Sequence, residues 1–157
     1  MVVCCLAIIA GCSRTKQCEK EIYLLPEGIR GEFVVYFGNE NGQPIEYEDS
    51  TRIYRIPSSG YLLSQFPKNG GCMSDERVHF YYVDGLGNRT LIEYYLNLDK
   101  DSIPQDQDIV LFTFLSEKGT KPEFVINLIG KPKEYKEVLL KFKTFNPVRI
   151  LDSISNK

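Results

Sequence analysis

The mature part of this chain predicts a mainly β fold, an antiparallel β-sandwich or partly open barrel with one C-terminal helix, preceded by a signal-peptide helix. Two observations carry the strands. Short runs rich in Val, Ile, Tyr and Phe recur between Ile22 and Ile129, and turn residues punctuate them about every 8–12 residues. A third observation carries the helix: after Gly130-Lys131-Pro132 the apolar period changes from strand-like to helical.

Taken in order, Ile22 to Leu25 is apolar and Pro26-Glu27-Gly28 breaks it. Glu32 to Phe37 is an unbroken row of β-formers, and Asn39-Glu40-Asn41-Gly42 turns the chain because Asn and Gly tolerate positive φ. Ile45 and Tyr47 alternate with polar residues up to the Asp49-Ser50 turn, and Arg52 to Ile56 alternates again. Pro57-Ser58-Ser59-Gly60 leads into a strand at Tyr61 to Phe66, and Pro67 to Ser74 reads as a loop. Val78 to Val83 and Arg89 to Leu98 form a hairpin around Asp84-Gly85-Leu86-Gly87-Asn88. Ile109 to Leu115 is the most apolar run, which predicts a central strand buried on both faces, and Glu123 to Ile129 returns antiparallel to it. Tyr135, Val138, Leu139 and Phe142 then fall at i, i+3, i+4 and i+7, a helical stripe that Asn146-Pro147 should end, with a short strand at Val148 to Ile154.

The N-terminus supplies an address. Val2 to Ala10 is too short to span a bilayer as a helix, since about 20 residues are needed, but it fits the h-region of a secretory signal. Ile9-Ala10-Gly11-Cys12 resembles the lipobox of bacterial lipoproteins. The resemblance implies cleavage after the small residues Ala10 and Gly11, a diacylglyceryl thioether on Cys12, and fatty (palmitate-type) acylation of its new amino group. Several acyl chains, at about 0.8 kcal/mol per buried methylene, make a stable membrane anchor. A plain secretory signal or an uncleaved apolar N-terminus is the alternative. Residues 1–11 are thus a signal peptide, 12–20 a lipidated tether, and 21–157 a single β-rich domain. Ser13, in place of the Asp that resembles an inner-membrane retention signal, favours the outer membrane, facing the periplasm, if the cell has one.

Export changes how the cysteines are read. After processing, Cys18 and Cys72 remain besides Cys12, and in an oxidising compartment they make a candidate disulfide; two unbridged thiols are the alternative. With 19 basic and 21 acidic residues and no basic cluster, the chain gives no reason to expect nucleic acid.

Leu24-Leu25-Pro26-Glu27-Gly28-Ile29-Arg30-Gly31, Tyr54-Arg55-Ile56-Pro57 with Ser59-Gly60, Phe80-Tyr81-Tyr82-Val83 and Gly87-Asn88-Arg89-Thr90 resemble a family of small uncharacterised bacterial lipoproteins, classed as a domain of unknown function. The resemblance covers about Cys18 to Ile92. It implies the envelope and brings no activity.

No catalytic constellation stands out. His79 is the only histidine and lies within a strand, away from any serine elbow. Asp84 to Asn88 has too few side-chain oxygens for a hard cation, and neither a metal nor a cofactor is expected. Glu46, Glu48 and Asp49 cluster, as a carboxylate pair in a glycoside hydrolase would, or as a solvated edge. Tyr81, Tyr94 and Tyr95 are candidates for an exposed aromatic patch, with core and cross-strand packing as the alternative. The reading that fits these residues best is a lipid-anchored, non-catalytic module that binds an envelope protein or polymer. The alternatives are an envelope hydrolase and an inhibitor or immunity-type lipoprotein that presents the Pro67 to Ser74 loop.

Overall fold

The computed structural model describes residues 18–70, 74, 76–96, 103–117, 119–135 and 146–155. Nine strands join in one sheet: β1 (Lys20–Pro26), β2 (Gly31–Tyr36), β3 (Tyr47–Glu48), β4 (Thr51–Arg55), β5 (Tyr61–Leu63), β6 (Val78–Val83), β7 (Arg89–Tyr95), β8 (Ile109–Leu115) and β9 (Phe124–Gly130). Their order across the sheet is β3-β4-β1-β6-β7-β8-β9-β2-β5. The mainly β, partly open barrel with a C-terminal helix is therefore present. Its pairing is mixed rather than antiparallel throughout: β1 runs parallel to both β4 and β6, β2 to β5, and β7 to β8. Local turns explain only the β3–β4, β6–β7 and β8–β9 pairs, which are antiparallel.

The sheet curls on itself. One cluster unites Tyr23, Tyr54 and Phe80 from one half with Phe33, Leu62 and Val125 from the other, although these strands lie far apart in the sheet order. Gln43 stitches β5 to β4 beyond the short β3. Its backbone N–H donates to Leu63 O (2.7 Å) and its C=O accepts from Gln65 N (3.0 Å) on the β5 side. Its side-chain Nε2 donates to Ile53 O and its Oε1 accepts from Arg55 N, both at 2.9 Å, on the β4 side. One glutamine thus replaces part of a strand along the open edge of β4.

Strand directions give the barrel two ends. β1, β4, β6 and β9 begin, and β2, β3, β5, β7 and β8 finish, at the end where Cys18 leads into β1; this is the tether end. Cys18, Glu19 and Lys20, assigned to the tether by sequence, belong to the body: Glu19 exchanges hydrogen bonds with Asn69 (3.2 and 2.7 Å), and Lys20 opens β1.

Two outward faces are also covered. The first holds Val34, Tyr36, Phe124 and Ile126, and α1 (Pro147–Ser155) lays Ile150, Leu151 and Ile154 on it. The second holds Ile109, Leu111 and Leu128, covered by Ile103 and Tyr135. β9 is therefore buried along its whole length, whereas β8 is buried only over its first three residues. The doubly buried strand is β9, not β8 as its composition suggested.

The predicted strand at Val148 to Ile154 is a helix. Asn146-Pro147 starts a helix instead of stopping one: Asn146 Oδ1 accepts from the N–H groups of Val148 and Arg149, both at 3.1 Å, and Pro147 occupies the first turn, where its missing N–H has no helical partner to lose. Of the predicted helix at 135–142, only Tyr135 is among the described residues, directly after a 3₁₀ turn (Pro132–Glu134); the other positions lie outside them. Among the described residues no helix is long and apolar enough to cross a membrane.

Candidate functional site

Alternation along β1 and β4 turns Glu21, Tyr23, Arg52 and Tyr54 into the barrel. Glu21 is 3 % exposed. Its carboxyl accepts from Tyr23 OH (3.0 Å) and Tyr54 OH (3.3 Å), whose rings stack 4.8 Å apart. Arg52 lies beside them with its guanidinium 4.8 Å over the Phe66 ring, donating to Pro67 O (2.6 Å) and to Glu19 Oε2 (2.7 Å from Nε). Burial pushes the Glu21 carboxyl up from its usual range, and the hydroxyl of Tyr23 and the charge of Arg52 offset part of that rise. A raised carboxyl favours folding fully below the unfolded carboxylate range and loses that contribution as pH rises through the folded value. Glu21→Gln should therefore gain in Tm on the wild type as pH goes from about 4 to about 8; a difference that stays flat with pH would reject a raised Glu21.

Deeper inside, Asn127 is the one polar residue within β9. It is 0 % exposed, and neither Oδ1 nor Nδ2 finds a partner among the described residues. Its β-partners are Phe33 and Phe112, so the amide sits among aromatic rings. The Tyr94 hydroxyl is likewise buried without a partner, with its ring 4.9 Å from Phe80. An unsatisfied buried amide costs about 1–3 kcal/mol. Asn127→Leu, close in volume, is expected to raise stability by about that amount; a Tm that falls would show that the amide is satisfied in solution.

A second polar group closes the opposite end of the barrel. Arg30 pairs with Asp108 Oδ2 (2.6 Å) and donates to Tyr82 OH (2.7 Å), which donates to the same oxygen (3.1 Å). Burial and the Asp108 charge push the Tyr82 hydroxyl up to about 12. Back at the tether end, a 540 Å³ pocket opens between the end of β2, the β8–β9 turn and α1, walled by Tyr36, Phe37, Leu151 and Pro122 with Asn39, Lys121 and Glu123 around them. Glu123 is engaged there, accepting from Gly119 N (2.8 Å).

The sequence candidates scatter. Tyr94 faces the interior while Tyr81 and Tyr95 lie on the opposite face of their strands, so the three tyrosines make no common patch. The register is the reason: Phe80, Tyr81 and Tyr82 face Ile92, Leu91 and Thr90, and Tyr94 and Tyr95 pair with Val110 and Leu111 of β8. Glu46 is held by Arg55 (3.0 and 2.6 Å) and Glu48 by Arg89 (both contacts 2.8 Å), and those hydrogen bonds hold both carboxyls below the usual range. Arg89 starts β7, four places from β3 in the sheet order, so its ion pair with Glu48 reaches across the outer face. Asp49 and Ser50 have φ of 46° and 65°, the two positive values of a type I′ turn. Asp84 accepts from the N–H groups of Leu86 and Asn88 and from the Asn88 amide, all at 2.8 Å, which is a self-contained hairpin turn. His79 lies on the outer face of β6 and meets none of these groups. Of the Pro67 to Ser74 loop, Pro67 to Asn69 are tied down by Arg52, Ser116 and Glu19. Ala10, Gly11, Cys12 and Cys72 lie outside the described residues.

No curated protein matches the chain. The fold is shared with a 2.75 Å crystal structure named "Putative Lipoprotein from Bacillus anthracis", at a TM-score of 0.53 and 15 % identity over 72 % of this chain and 71 % of that one. At that identity the likeness is one of fold. Residues 17–121, which hold β1 to β8 and the polar groups at both ends of the barrel, match the family of unknown function DUF6843, and the chain belongs to that family.

Proposed function

We propose that this protein is a lipid-anchored cell-envelope protein whose barrel is a non-catalytic binding or accessory module for an envelope protein or polymer. The observation that carries the reading is the Ala10-Gly11-Cys12 junction closing an apolar run, with the first strand, β1, starting eight residues later at Lys20. The lipoprotein name of the Bacillus anthracis structure supports the same address. The arginine clamps on Glu46 and Glu48 argue against the hydrolase alternative, since a general acid needs a raised carboxyl and both are lowered. The test is the intact mass of the native protein. Cleavage before Cys12 with added acyl chains is expected, and Cys12→Ala should leave the chain unacylated and in the soluble fraction. An intact, unacylated N-terminus overturns the reading.

The same compartment supports a Cys18–Cys72 bridge. A Cβ built on Gly70 would lie 3.5 Å from Cys18 Sγ, so the chain passes against this sulfur two residues before Cys72. The bridge would close a long loop and contribute about 3–4 kcal/mol by the chain-entropy estimate. Reducing agent should shift the mature protein on a non-reducing gel; identical mobility, with both thiols alkylated before reduction, would reject the bridge.

A further inference from the structure

We infer that the tether end of the barrel is seated on the bilayer surface, with Tyr47, Leu96 and Phe114 as its contact residues. This rests on the lipid anchor proposed above and adds which part of the body meets the membrane.

Three observations converge. First, covalent reach limits the body. From Cys12 to Cys18 the chain extends at most about 20 Å at 3.3–3.6 Å per residue, so Cys18, two residues before β1, stays within that distance of the acylated cysteine. β1 itself has seven residues and carries the opposite end about 23 Å further, at about 3.3 Å each. Second, large apolar side chains are exposed around this rim. Tyr47 (49 %) is the last but one position of β3, Phe114 (47 %) is the last but one of β8, and Leu96 (44 %) directly follows β7. All three strands finish at the tether end. Third, Tyr47 is fixed rather than loose: its ring packs edge-on at 5.2 Å against Phe66 and its hydroxyl donates to Glu19 Oε1 (2.8 Å), beside the point where the chain enters the body. A tyrosine with an apolar body and a bonded hydroxyl is suited to the level of lipid headgroups. Leucine and phenylalanine beside it supply the shallow apolar contact by which monotopic proteins lie on a membrane.

The chain contains no tryptophan, so a single introduced one is a clean reporter. The experiment uses the full acylated protein in vesicles of phosphatidylcholine and phosphatidylglycerol brominated near the headgroup end of the acyl chains. Three variants are compared: Phe114→Trp and Tyr47→Trp at the tether end, and Lys133→Trp in the turn that follows β9 at the far end, where the Lys133 side chain is 56 % exposed. Thermal unfolding of each checks that it folds. Seating on the bilayer predicts that the first two lose most of their emission to the brominated lipid and that the third keeps it. Co-sedimentation of the same samples separates the failures. Protein that pellets with vesicles while the tether-end reporters stay bright overturns the seating alone. Protein that does not pellet overturns the anchor, and the seating with it.

Discussion

Phe80→Ala should lower the folding free energy by about 3–5 kcal/mol, the range for truncating a buried phenylalanine. Phe80 is fully buried at the centre of the barrel, where its ring stacks 4.8 Å from Tyr23, lies 4.9 Å from Tyr94 and meets Phe33 edge-on at 6.1 Å. These neighbours come from three different strands, and each is held by its own sheet partners. They cannot close around the gap together, so the loss includes a cavity term as well as lost transfer energy. Domains of this size are stable by about 5–15 kcal/mol, so at unchanged slope the urea midpoint should fall by at least about a fifth of its wild-type value. Leu91→Ala, at a position 60 % exposed one residue from the buried Ile92, should stay within about 0.5 kcal/mol of wild type. Equal effects for the two would mean that the interior is not packed around Phe80.

The second large effect is expected at Gly42. A Cβ there would lie 2.5 Å from Leu63 C, 2.6 Å from Leu63 O and 2.6 Å from Ser64 N. All three are backbone atoms, and the segment cannot yield: Leu63 O accepts from Gln43 N (2.7 Å) and Ser64 N donates to Tyr36 O (2.9 Å). Gly42→Ala must therefore push Gln43 out of place and break its contacts to β4 and β5. The expected loss is about 3 kcal/mol, the upper end of the range for overpacking. Gly85→Ala, where nothing lies within 4 Å, is the matched control and should be near neutral. Thermal unfolding followed by circular dichroism measures both.

The strands were legible because each is a run of β-formers bounded by turn residues; Val78 to Val83 and Ile109 to Leu115 have the predicted limits. Their partners were not. β1 pairs with residues 51–55 and 78–83, and no local signal names a parallel partner. Asn146-Pro147 was ambiguous because the same dipeptide can follow one helix or cap the next. The spacing of Ile150, Leu151 and Ile154 carried the helical signal, but the β-branched residues around it read as a strand. At the site, Glu21 and Asn127 were visible as single polar residues beside or within apolar runs, and only the curl of the sheet turns both inward. The Arg30, Tyr82 and Asp108 group is assembled from three distant stretches and left no pattern to find.

The position of β1 also constrains how the protein is made. The earliest strand of the fold lies between two ladders whose other halves come later in the chain, the last of them ending at Val83. Such long-range pairing folds slowly. β1 therefore has no ladder partner until residues 51–55 have been made and lacks its second until residues 78–83 follow, so the first strand of the fold waits unpaired while the chain lengthens.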